Sequence, residues 1–306
     1  MRRRHAQNFL ERLQERFGRI SDLVEPSSIG VLVSRTLTSE HLFNLIHHQA
    51  AAVHIKGFYP PEACEGLAAK LTQSKMSNWM VSSVRGLESS DVMSCGTPYN
   101  VAMERGEGAI KEYFDTALDQ MRHLRQDRVA GEAAAPMTLS PLDKLRLELD
   151  EVWMDGATVT KNPQGQPYVA GVARVMEGPT KSIQGFIHVD ELAPLSETHG
   201  LFSANIYLRM PPTGGHLSIW PVSFHSRWDF YRHAALLSHL TEDSEHGQMA
   251  LHNAFPKPHV IRVEPGDLVL LCAQRPHAAN GFPMGSRVSM QTFISHQQGK
   301  PLSLDS

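Results

Sequence analysis

The sequence predicts an α+β protein, because its pattern changes near residue 150. Before that point apolar residues recur mainly at helical spacing. After it, short alternating runs are separated by glycine- and proline-rich turns, which suggests an all-β sandwich or barrel. The expected division is a mainly helical region over 1–150, a β core over 151–298 with an inserted helix at about 226–240, and a tail over 299–306. With 306 residues, 41% of them hydrophobic, the chain has ample material for a buried core.

In the first half, residues 6–20 put Phe9, Leu10, Leu13, Phe17 and Ile20 on one helical stripe. Ile29, Val31 and Val33 alternate and predict a strand, and Ser39 is a plausible N-cap for a helix over 40–50. Ala52–Ile55 reads as a strand running into the turn Gly57-Phe58-Tyr59-Pro60, with a helix over 61–74. Residues 75–100, with Trp79 and Tyr99, are rich in Ser, Gly and Met and read as irregular, either a loop at the mouth of a site or a surface excursion. A helix over 104–127, a small linker at 131–136 and a helix over 140–150 follow, the last with Ser140 as cap and Pro141 at the first helical position.

In the second half, strands are expected over 167–176, 181–189, 199–210, 216–220, 259–264, 268–272 and 288–295. The run from 199 to 210 splits cleanly. Phe202, Ala204, Ile206 and Leu208 take one face, and Ser203, Asn205, Tyr207 and Arg209 take the other. The segment before 259 is long for a hairpin connection and reads as either a lid or a helix packed outside the barrel. The tail beyond His296 is expected to be extended or disordered.

Composition excludes several classes. A net charge of −3 gives no electrostatic case for nucleic acid or an anionic membrane. Three scattered cysteines fit a reduced, cytoplasmic protein better than a disulfide scaffold. No apolar stretch approaches a membrane span, and Arg2-Arg3-Arg4 is not followed by the apolar core of a signal peptide.

The chemistry concentrates at Gly185-Phe186-Ile187-His188-Val189-Asp190. In a strand, residues two apart face the same way, so His188 and Asp190 would project together. One more histidine would complete the two-His, one-carboxylate set that holds non-haem iron(II) with open positions. His277 is the best candidate. It follows the turn Pro265-Gly266-Asp267 and the apolar run Leu268–Cys272, and Arg287 lies ten residues beyond it, with Ser289 two further on. His199 with Arg209 and His252 with Arg262 repeat the interval, but neither arginine is followed by a serine two residues later.

The series His188-x-Asp190, His277, Arg287-x-Ser289 resembles the Fe(II)/2-oxoglutarate-dependent dioxygenase superfamily. That resemblance implies a double-stranded β-helix, a jelly-roll or cupin-like barrel, supported by the helical first half. It implies iron held by His188, Asp190 and His277, and the distal carboxylate of 2-oxoglutarate held by Arg287 and Ser289. Asn205 or Tyr207 could also touch 2-oxoglutarate. Dioxygen is the second substrate, and succinate and carbon dioxide are released. The layout is also similar to indole-alkaloid aliphatic halogenases. Members that halogenate have Gly or Ala at the carboxylate position, so Asp190 implies hydroxylation, desaturation or ring closure of a small molecule. Two other classes stay open: a cupin-like metalloenzyme that does not use 2-oxoglutarate, and a non-enzymatic binding module.

Overall fold

The computed structural model describes residues 8–306 apart from 10, 14, 17–19, 84–85, 126–138, 192–198, 225 and 242–243. The linker expected at 131–136 and much of the helix expected over 6–20 lie outside the described residues. Ile20 itself sits in a 3-10 turn, Ile20–Asp22.

Helices and a large mixed sheet make up the architecture. Its first-half strands are β1 (Val31–Ser34), β2 (Ala52–Ile55), β3 (Ser77–Ser83) and β4 (Gly86–Cys95). The second half adds β5 (Ala157–Val159), β6 (Val172–Glu177), β7 (His199–Arg209), β8 (Leu217–Ile219), β9 (His259–Ile261), β10 (Leu268–Cys272), β11 (His277–Ala279), β12 (Ser286–Gln297) and β13 (Leu302–Asp305). Ten strands form one sheet in the order β1-β2-β10-β7-β12-β6-β4-β3, with β13 and β5 joined through β12. The β1–β2 and β13–β5 pairs are parallel and the other pairs antiparallel. A second sheet has the order β11-β8-β9.

The helices are α1 (Ser39–Ile46), α2 (Pro61–Gln73), α3 (Tyr99–Arg105), α4 (Glu107–Arg125), α5 (Pro141–Val152), α6 (Arg227–Arg232), α7 (Ala234–Leu237) and α8 (Glu245–Ala254). Ser140 caps α5 from the expected position, its hydroxyl accepting from the Asp143 amide at 3.2 Å. The cap of α1 is one residue earlier than expected. Thr38 and His41 form a reciprocal capping box, which satisfies two terminal donors where Ser39 alone would satisfy one. The helix expected over 104–127 is broken at Gly106, whose φ of 92° ends α3.

The alternation on β7 sorts the interior. Ala204, Ile206 and Leu208 face α1, α2 and α5 in one apolar cluster with Leu45, Leu71, Leu145, Leu149 and Met290. Each fully buried leucine there is worth about 2 kcal/mol of transfer free energy. Tyr207 lies on the opposite face, in a cluster with Leu217, Ile219, Val269 and Leu271 that joins the two sheets. The polar residues of β6, β7 and β12 share this inner face, and the site is built on it.

Three local expectations are corrected. Residues 75–100 are not irregular throughout: β3 and β4 form a hairpin whose second strand pairs with β6. The tail is ordered as β13, because alternate Leu302 and Leu304 are buried while their backbone pairs with β12 and β5. The stretch 181–189 is not a continuous strand. It is a loop touching its neighbour through a single antiparallel bridge, His188 to His277.

Candidate active site

His188 and His277 exchange both backbone hydrogen bonds, at 3.0 and 2.9 Å, and this pins the loop to the start of β11. Gly185 makes the turn into it with φ at 79°, and a Cβ there would lie 2.1 Å from the Ala279 carbonyl oxygen. Asp190 is held by its amide, which donates to the Ala273 carbonyl at 2.9 Å. The loop therefore places both of its candidate ligands without regular strand geometry.

Each imidazole is oriented by its other nitrogen. His188 Nδ1 lies 2.9 Å from the Phe186 carbonyl oxygen and His277 Nδ1 lies 2.8 Å from that of Arg275. A carbonyl only accepts, so each Nδ1 carries a proton, and it is Nε2 whose lone pair a ring in its neutral form would present. Both Nε2 atoms face Asp190: His188 Nε2 is 3.8 Å from Oδ1 and His277 Nε2 is 3.4 Å from Oδ2. Burial pushes the His188 pKa down to about 4, helped by His277 and opposed by Asp190, so the ring is neutral at physiological pH.

The three side chains can offer one donor atom each, all within 4.8 Å of one another. Ligands about 2.1 Å from a metal and at right angles would be about 3 Å apart, so little adjustment is needed. Asp190 Oδ2 is buried with no hydrogen-bond partner, as expected of an oxygen shaped for a cation. The donor set, two imidazoles and one carboxylate, suits ferrous iron. Side-chain exposure is 28% at His188 against 10% at Asp190 and 9% at His277, so the cluster opens on the His188 side.

It opens into a cavity of about 460 Å³ whose walls include Asn205, Arg287 and Ser289. On β12, Arg287 pairs with Met176 and Ser289 with Arg174 of β6, while Ser289 pairs with Tyr207 of β7. A register shift between Val288 and Ser289 marks a bulge in the β12–β7 pairing, a feature that re-aims side chains locally. The structure thus brings His188, Asp190, Asn205, Arg287 and Ser289 to one cavity, with His277 joined to it through the three-residue cluster. Tyr207 is fully buried beside it rather than on its wall, with the Arg287 guanidinium 5.1 Å from its ring centroid. Its hydroxyl and Arg287 Nε are buried without partners. The decoys lie elsewhere: His199 opens β7, and His252 is on α8 against Trp220.

Several residues around the site were not identified from the sequence. Gln248 on α8 accepts from the Ile187 amide at 2.7 Å and donates to its carbonyl at 3.1 Å, next to His188 in the chain. The segment 226–254 therefore braces the metal loop, and Leu240 and Thr241 from it line the cavity. Arg275, fully buried, forms an ion pair with Glu25 while its carbonyl orients His277. Arg174 also lines the cavity, as does Trp79, from the stretch 75–100 that the sequence left between a loop at the site's mouth and a surface excursion. A lone arginine in an apolar strand was the available signal for Arg174. The Gln248 and Glu25 contacts join segments far apart in the chain and left no signal.

No helix among the described residues is long and apolar enough to cross a membrane. No family model and no curated protein matches the sequence. Solved structures do. An N-substituted L-amino acid dioxygenase from Burkholderia ambifaria superposes with a TM-score of 0.57 at 14% identity, over 88% of this chain and 91% of that one. The same dioxygenase in complex with alpha-ketoglutarate gives 0.54 at 12% identity over the same shares. The chain has the fold of a dioxygenase that binds alpha-ketoglutarate.

Proposed function

We propose that the protein is a non-haem iron(II)- and 2-oxoglutarate-dependent oxygenase. On this reading it hydroxylates an aliphatic C–H bond of a small molecule, such as an amino-acid derivative or natural product, and releases succinate and carbon dioxide. The observation that carries the reading is a set of unpartnered buried polar atoms around one cavity. The Asp190 carboxylate faces both imidazoles, Oδ1 toward His188 and the unpartnered Oδ2 toward His277, and Arg287 Nε and the Tyr207 hydroxyl lie close by.

His188, Asp190 and His277 would hold the iron. Arg287 and Ser289 would hold the distal carboxylate of 2-oxoglutarate, because a planar guanidinium matches a carboxylate through two parallel hydrogen bonds. Asn205 would border the cosubstrate, and Tyr207 would support Arg287 from beneath. Iron with 2-oxoglutarate and dioxygen supplies an oxidant strong enough for an unactivated C–H bond. The protein's part is to fix the reacting carbon and keep water out. The cavity volume suits a small ligand, and the structurally similar dioxygenase is described as acting on N-substituted amino acids.

The same reading makes the two facing sheets halves of a double-stranded β-helix, with residues 1–150 as its support and 151–298 as its catalytic core. We place the protein in the cytoplasm on the strength of three free, buried cysteines. The test is succinate production from 2-oxoglutarate by the iron-loaded protein, followed by mass spectrometry. Wild-type protein should form succinate, and His277→Ala should not. Equal, background-level succinate from both proteins would overturn the proposal.

A further inference from the structure

The cavity holds a second guanidinium that the proposed iron and 2-oxoglutarate chemistry does not use. Arg174 sits on β6 between Ser289 of β12 and Ser94 of β4, so it shares the inner face with Arg287. Its guanidinium carbon lies over the Trp79 ring, 4.2 Å from the centroid, a cation–π contact that holds the group against the indole. Among the described residues it has no ion-pair partner, and its Nε is buried with no hydrogen-bond partner. Burial and the neighbouring Arg287 lower its pKa to about 10, so it is a cation at neutral pH.

Charge counting gives this group a task. A divalent metal, the Asp190 carboxylate, the dianionic cosubstrate and Arg287 balance one another, and among the described residues neither of the cavity's other carboxylates, Asp91 and Glu104, is ion-paired with Arg174. A buried unpaired cation is costly, and a bound anion removes that cost. The field at Arg174 includes Asp190, Arg287 and Tyr207, so the site for that anion adjoins the metal cluster. The other cavity cation, Lys181, already has an interaction of its own. Apolar wall residues Val92, Met176, Phe186, Val189 and Leu240 leave room for a hydrocarbon portion.

We propose that Arg174, held over the Trp79 ring, anchors a carboxylate of the substrate, so that the site takes a small carboxylic acid and holds its oxidised carbon at a set distance from the acid group. This rests on the oxygenase reading of the same cavity. The test is calorimetric binding to protein loaded with nickel(II) and 2-oxoglutarate, using N-acetyl-L-amino acids and their matching carboxamides as probes. At least one acid should bind, with its carboxamide about tenfold or more weaker. Arg174→Met should raise that acid's Kd to its carboxamide's value while leaving the Kd of 2-oxoglutarate within about twofold. Arg174→Lys, which keeps the charge without the fork, should retain part of the preference and covers the case in which the methionine variant does not fold. The inference is overturned if no acid outbinds its carboxamide. It is also overturned if Arg174→Met weakens 2-oxoglutarate and leaves the acid preference intact, which would assign the group to the cosubstrate. If wild-type protein fails to bind 2-oxoglutarate at all, the oxygenase reading itself has failed.

Discussion

Replacing Gln248 with alanine should loosen the metal site from a distance. The carboxamide of Gln248 makes two hydrogen bonds to the backbone of Ile187, at 2.7 and 3.1 Å, in buried surroundings. Removing it strands a buried N–H and a buried C=O, at about 1–3 kcal/mol each. Entry of water into the vacated space returns part of that, for a net cost of about 2–4 kcal/mol. Ile187 precedes His188, whose position depends on the same loop. If a third or more of the cost appears as freedom of that loop, metal affinity falls about tenfold, within the 10–100-fold range typical of groups that support metal ligands. The assay is nickel(II) titration by calorimetry, with a thermal melt alongside. Met249→Ala, on the exposed side of the same helix, is the control and should bind nickel as wild type does. A Gln248→Ala protein that melts lower yet binds nickel with wild-type affinity would refute the bracing role and reduce the contact to helix packing.

Three further outcomes are expected. Arg287→Ala should raise the Kd of 2-oxoglutarate by about tenfold to a hundredfold while leaving nickel affinity within about twofold, measured by sequential titration of metal and cosubstrate. Glu25→Ala strands the fully buried Arg275 guanidinium and should cost about 3–5 kcal/mol, read as a melting temperature roughly 5–10 °C lower. Asp267 is held below its unfolded value of 3.8: burial opposes its charge, but His54 at 2.7 Å and the Gly57 and Glu264 amides outweigh that. Its contribution is fully present above that unfolded value and lost as pH falls through the lower folded one. Asp267→Asn should therefore flatten the acid limb of the stability curve below about pH 4, as followed by denaturant melts.

The candidate site was legible where spacing alone decides side-chain direction. His188 and Asp190 are two apart, as are Arg287 and Ser289, and the alternation on β7 put Asn205 and Tyr207 on the inner side. Tyr207 shows the limit of that reasoning: the face was right, but only the packing of Leu217, Ile219 and Val269 around it shows that it is off the cavity wall. The stretch 181–189 was misread as a strand because Phe186 and His188 alternate properly, whereas the turn at Gly185 is imposed by the close approach of Ala279. The β3–β4 hairpin was missed because its serine-rich sequence has little intrinsic strand preference. It forms by pairing with β6, more than 70 residues away. Gln248 and Glu25 reach the metal ligands' surroundings across more than 60 and 240 residues respectively, and no local pattern marks such contacts.

The most direct measurement is an anaerobic titration of the metal-free protein with iron(II) and then 2-oxoglutarate, followed by visible absorption. Chelation of ferrous iron by the keto acid gives a weak charge-transfer band. The band should develop in wild-type protein, require 2-oxoglutarate, and be lost in His188→Ala. Iron binding without any band on addition of 2-oxoglutarate would contradict the assignment of Arg287 and Ser289 and leave a metalloenzyme that does not use this cosubstrate.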